Sequence, residues 1–70
     1  MRRHEVASAS LASVGYDQRS RTLEVEFQSG AVYHYSGVPY AVAKGLMQAD
    51  SIGGYFMRRV RNAFPYARVE

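Results

Sequence analysis

The chain has no cysteine and no tryptophan, and only two of its 70 residues are proline. Without thiols it can form neither a disulfide nor a thiolate metal site, and such a composition fits a reducing compartment, so a cytoplasmic location is the expectation. Long hydrophobic runs are missing too. Aliphatic stretches such as 41–43 fall far short of the roughly 20 apolar residues a membrane-spanning helix needs. Arg2 and Arg3 are followed by His4, Glu5 and a run rich in Ser and Ala instead of an apolar stretch, so a secretory signal is not expected.

What is present argues for a folded domain. Six Tyr and three Phe in a chain that is 47% hydrophobic supply a core and separate the sequence from disordered ones. A chain this short builds one core, burying about 60% of the surface it exposes when unfolded. The formal charge is +3, unevenly spread, with Arg58, Arg59, Arg61 and Arg68 facing Glu70 alone in the last twenty residues. Such a balance permits an anionic partner.

Residues 1–8 lack periodicity and read as a flexible N-terminal segment, leaving 9–70 as a single domain. A first short strand is expected over 12–16, then a polar turn, then a second strand over 22–27 in which Leu23, Val25 and Phe27 share one face and Glu24 and Glu26 the other. A third strand covers 31–35. A three-residue loop of Gln28, Ser29 and Gly30, with Gly30 in the left-handed region, sets Phe27 opposite Ala31, Val25 opposite Tyr33 and Leu23 opposite Tyr35. One face of the hairpin then becomes wholly apolar or aromatic. A slip of one residue would reverse the third strand.

Pro39 suits the first turn of a helix running to about Ala49, with Val42, Leu46 and Met47 at helical spacing and Gly45 either weakening the segment or permitting close packing. Asp50 and Ser51 break the chain and offer an N-cap. Ile52, Tyr55, Phe56 and Val60 form the stripe of a second helix ending near Asn62, beyond which Pro65 makes the tail extended. The reading is an α+β fold, a three-stranded antiparallel meander packed against two short C-terminal helices in the order β-β-β-α-α, with the tail able to dock as an extra edge strand.

Val14-Gly15-Tyr16-Asp17, 23–27, Gly30, Tyr33-His34-Tyr35 and Val38-Pro39, with Ser51, Gly53, Tyr55-Phe56, Val60-Arg61, Tyr66 and Arg68-Val69, resemble the KTSC domain. That resemblance spans the chain from about Ala9. It implies a module like the C-terminal domain of some lysyl-tRNA synthetases, also met as a free-standing small bacterial or phage protein, and it suggests RNA binding.

Among chemistry-bearing residues, Arg58, Arg59 and Arg61 are the leading candidates, since guanidiniums near a helix end can clamp phosphates, although basic residues there also complement the macrodipole. Arg68 joins them in the tail. Ser51 and Gly53 open the second helix, where bare N–H groups can receive an anion or Ser51 can simply cap. Tyr33 and Tyr35 can serve as stacking platforms, but the hairpin register puts them on the core face with hydroxyls at its rim; Tyr55 and Phe56 belong mainly to the structure. His34 is then exposed, paired with Glu24 or Glu26 across the strands. His4 shares no ligand spacing with it, so no metal, cofactor or catalytic group is expected. The leading functional expectation is a non-enzymatic module that binds RNA or tRNA through the basic second helix. The alternative is a protein-interaction module, pairing a strand edge with a partner or a second copy.

Overall fold

The computed structural model of the chain describes residues 1–70. The elements follow in the order β1 (Arg3–Glu5), β2 (Leu11–Asp17), β3 (Thr22–Phe27), β4 (Val32–Tyr35), α1 (Tyr40–Gln48), α2 (Ile52–Arg59) and β5 (Tyr66–Arg68). The five strands form one sheet in sequence order, each antiparallel to the next. The sheet is therefore wider than the three strands expected. The tail docks beside β4 as the extra edge strand, and residues 3–5, expected within a flexible segment, form the opposite edge.

The β3–β4 hairpin has the expected register: Leu23 faces Tyr35 and Val25 faces Tyr33. The Phe27 N–H donates to the Ala31 carbonyl at 2.9 Å, and Gly30 carries a φ of 95°, which a residue with a Cβ adopts only at a cost. Pairing extends this order across the sheet. His4, Val14, Val25, Tyr33 and Arg68 form one cross-strand row, and Arg3, Gly15, Glu24, His34 and Ala67 form another. Alternation of side chains puts the two rows on opposite faces.

The second row explains β1. Gly15 has no side chain, and a Cβ there would lie 3.0 Å from Arg3 Cγ and 2.6 Å from the Arg2 carbonyl oxygen. Arg3 crosses that gap to Glu24, with Nη1 3.5 Å from Oε2, while His34 Nε2 lies 2.7 Å from Glu24 Oε1. A three-residue strand is too short to show periodicity, so sequence pattern alone does not mark it. On β2, a register shift between Leu11 and Ser13 accommodates one extra residue, bringing both Leu11 and Val14 onto the buried side.

Both helices contribute to the core cluster that holds Leu11, Val14, Leu23, Val25 and Tyr35, through Ala43 and Leu46 from α1 and Phe56 from α2. Met47, expected on the inner stripe of α1, is exposed instead, because Ala43 and Leu46 fill the face turned inward. Pro39 precedes the helix as its N-cap. Gly45 lies under Tyr55, whose hydroxyl donates to the Val42 carbonyl at 3.1 Å; a Cβ on Gly45 would come within 2.8 Å of the Tyr55 ring. Ser51 caps α2 by accepting the Gly54 N–H at 3.2 Å. The helix ends sooner than expected, at Arg59, with Val60 its C-cap and the Arg61 N–H closing back onto the Phe56 carbonyl at 2.9 Å. Neither helix is long and apolar enough to cross a membrane.

Candidate functional site

The aromatic side of the sheet is not fully covered. Toward β5 it forms the floor of an open groove of about 580 Å³, with Phe27, Tyr33 and Tyr35 beneath, Gly53, Phe56 and Met57 of α2 along one wall, and Arg61, Asn62 and Tyr66 at the rim. The rings hold one another in place. Phe56 stands edge-on to both Phe27 and Tyr35 with centroids 5.5 Å apart in each pair, and Phe27 stands edge-on to Tyr33 at 5.5 Å. Tyr33 and Tyr35 stack at 6.4 Å, and Tyr66 leans over both at 5.7 and 5.6 Å. Edge-to-face pairs contribute about 0.5–1.5 kcal/mol each beyond their buried area, so the floor is a rigid surface.

Exposure grades across this cluster. Tyr35 and Phe56 are 3% exposed and belong to the core, Tyr33 is half-buried, and Tyr66 is 61% exposed. Burial pushes the Tyr35 phenol above its usual pKa, and the neighbouring phenols of Tyr33 and Tyr66 push it the same way, while the Arg61 charge opposes them. The open-face residues behave differently. His34 and Arg3 flank Glu24, and the Ser13 hydroxyl donates to Glu26 at 2.7 Å, so these polar groups satisfy one another across strands.

The structure gives each candidate arginine its own neighbours. Arg61 borders the groove and donates from Nη1 to the Met57 sulfur at 3.5 Å. Arg59 turns away, its guanidinium carbon 6.0 Å from the Tyr55 ring centroid. Arg58 folds back over the first turn of α2, where its Nη1 lies 3.1 Å from the position a Cβ on Gly54 would take. Arg58 and Arg61 thus each lie back over the residue four positions earlier, Gly54 and Met57, while Arg59 faces Tyr55. Arg68 sits on β5 two residues from Tyr66, on the same sheet face, with Nε donating to the Glu70 carbonyl at 2.9 Å. Gly53 lines the groove, whereas Ser51 is occupied as a cap and Tyr55 packs on α1.

Tyr66, Asn62 and Gln28 line the groove but were not among the expected ligand-contacting residues. The signal available for Tyr66 was the alternation Tyr66-Ala67-Arg68, which sends Tyr66 and Arg68 to one face once the tail is read as a strand. Gln28 lies in the hairpin loop, where its amide donates to the carbonyls of Ser8 at 3.1 Å and Leu11 at 3.2 Å, tying the loop to the start of β2.

An antiparallel sheet of five strands with both helices on one face and an aromatic groove at one end defines a small α+β domain of the kind found in comparisons with known proteins. The family model for the KTSC domain matches residues 7–64, and the chain belongs to that family. It is 50% identical over 56 residues to a protein of Stutzerimonas stutzeri, covering 80% of this chain and 79% of that one. Lysine–tRNA ligases of Nostoc punctiforme and Trichormus variabilis are 37% and 39% identical over 54 residues; the match takes in 77% of this chain but only 10% of each ligase. The crystal structure of a KTSC domain protein from Yersinia pestis matches with a TM-score of 0.96 at 32% identity, covering 99% of this chain and 97% of that one.

Proposed function

We propose that this domain binds single-stranded RNA without catalysis, its aromatic groove receiving an unpaired base while Arg61 and Arg68 meet the flanking phosphates. The observation that carries this reading is the groove itself: an exposed tyrosine, Tyr66, above a braced aromatic floor with a guanidinium at the rim. Bases stack on such platforms whatever their sequence, and an arginine beside the platform offers bidentate phosphate contacts. Similarity to segments of lysine–tRNA ligases, whose named substrate is an RNA, supports the same class of ligand. The contact thus moves from the outward side of α2 to the groove between α2 and β5.

The test is fluorescence anisotropy of a labelled single-stranded RNA, a tRNA and a matched DNA over a salt series. Stacking is worth about 1–3 kcal/mol per base, so Tyr66→Ala is expected to weaken binding roughly 5- to 150-fold. Arg61→Ala should weaken it as well, whereas Arg59→Ala, whose guanidinium lies over Tyr55, should change it little. With two phosphates neutralised on a single strand, log K should fall against log salt with a slope of about −1.4. Equal losses in Arg59→Ala and Arg61→Ala would return the contact to the helix surface. No salt-dependent binding of any of the three ligands would refute the reading.

A further inference from the structure

The edge of the sheet farthest from the groove has a property of its own. The Val6 N–H donates to the Ala12 carbonyl at 3.1 Å. Backbone groups of an antiparallel strand alternate in direction, so those of His4 also point to β2 and those of Arg3 and Glu5 point to the free edge. No strand lies beyond β1 to receive them. A second β1 laid antiparallel about His4 would set Arg3 opposite the second copy's Glu5 and Glu5 opposite its Arg3. Both pairs would then be hydrogen-bonded pairs of the ladder, with His4 facing its own counterpart. The register that matches the charges is also the one that matches the outward N–H and C=O groups.

We infer that β1 is a self-complementary docking edge, through which two copies of this chain join by strand addition into a closed two-fold dimer with a continuous ten-stranded sheet. The charge pattern chooses the occupant. An edge carrying like charges repels its copy, whereas Arg3 and Glu5 of opposite sign, two residues apart, attract it. The other edge lacks this charge complementarity, since β5 carries Arg68 as its single charged residue and the corresponding register about Ala67 would set it opposite Tyr66. Pairing β1 with β5 would leave one edge free on each copy and would not close. Exposed Met1, Tyr40 and Met47 line the hollow beside β1, giving the junction apolar surface on the helix side.

The chain's lack of cysteine allows a direct test. In this register the two His4 positions form a non-hydrogen-bonded pair, whose Cα atoms lie about 4.5 Å apart, while the two Glu5 positions are offset. Under a mild oxidant, His4→Cys should form a covalent dimer at least about tenfold faster than Glu5→Cys, as expected for thiols held at high effective concentration. Adding Glu5→Arg to His4→Cys sets Arg3 against arginine and should abolish that advantage. Cross-linking of His4→Cys no faster than that of Glu5→Cys, or an unchanged rate in the double variant, would overturn the register. Sedimentation of the unaltered chain as a monomer at about 1 mM, where even a contact of about −4 kcal/mol is half occupied, would overturn the dimer itself.

Discussion

Tyr35 joins the core to the groove. Its ring is buried against Phe56 and between Tyr33 and Tyr66, yet it also lies on the groove floor. The folded state therefore favours the neutral phenol, holding its pKa above the ordinary 10.0. For a group whose folded pKa is raised, the stabilising contribution is fully present below the unfolded value and is lost as pH rises through the folded value. Stability should accordingly fall above about pH 10, the ordinary tyrosine range. Tyr35→Phe should flatten that fall while leaving stability near neutral pH almost unchanged, as no intramolecular hydrogen bond is lost. Denaturant midpoints of the two proteins across the alkaline range provide the check, and identical pH profiles would contradict the assignment.

Much of the element pattern was legible in the sequence, and what was missed has physical reasons. The β3–β4 register followed from alternation, because a buried face penalises any slip. The two helices followed from apolar spacing, with the Ser51 cap marking the start of the second. The bulge that buries Leu11 was hidden because an extra residue breaks the very alternation used to find strands. β1 escaped notice because it is held by what it lies against, Gly15 and Glu24, and not by its own pattern. What the sequence did not reveal about the arginines is the groove that Arg61 borders, because its rim is completed by Asn62 and Tyr66, which lie beyond the helix.

Gly45 shows that a residue that looks weak for a helix can be required between helices. Replacing a mid-helix glycine with alanine ordinarily gains up to about 1 kcal/mol. Here the added Cβ would meet the Tyr55 ring at 2.8 Å and displace the hydroxyl that bonds the Val42 carbonyl. Overpacking costs about 1–3 kcal/mol and the lost hydrogen bond about 0.5–1.5 kcal/mol, so the steric loss outweighs the propensity gain. Gly45→Ala is expected to lower stability by about 1–3 kcal/mol in chemical denaturation, with an unchanged m-value. A variant as stable as the parent, or more so, would show that α1 and α2 do not rely on this close approach.

Across the whole molecule, the two edges of the sheet carry different chemistry. The β1 edge has alternating opposite charges and no aromatic residue, while the β5 edge brings Tyr66 and Arg68 to the groove. Pairing through β1 would leave both grooves open at the far ends of the joined sheet, so self-association and RNA binding would not compete. Their failures are also distinguishable, because cross-linking at position 4 needs no RNA and anisotropy with Tyr66→Ala needs no dimer.

The most direct measurement is an NMR titration with a short single-stranded RNA, following the aromatic side chains. The account predicts that resonances of Tyr33, Phe56 and Tyr66 shift together, while those of Tyr16, Tyr40 and Tyr55 stay in place. Shifts confined to Tyr16 and Tyr40, or to Tyr55 beside Arg59, would contradict it by moving the ligand away from the groove.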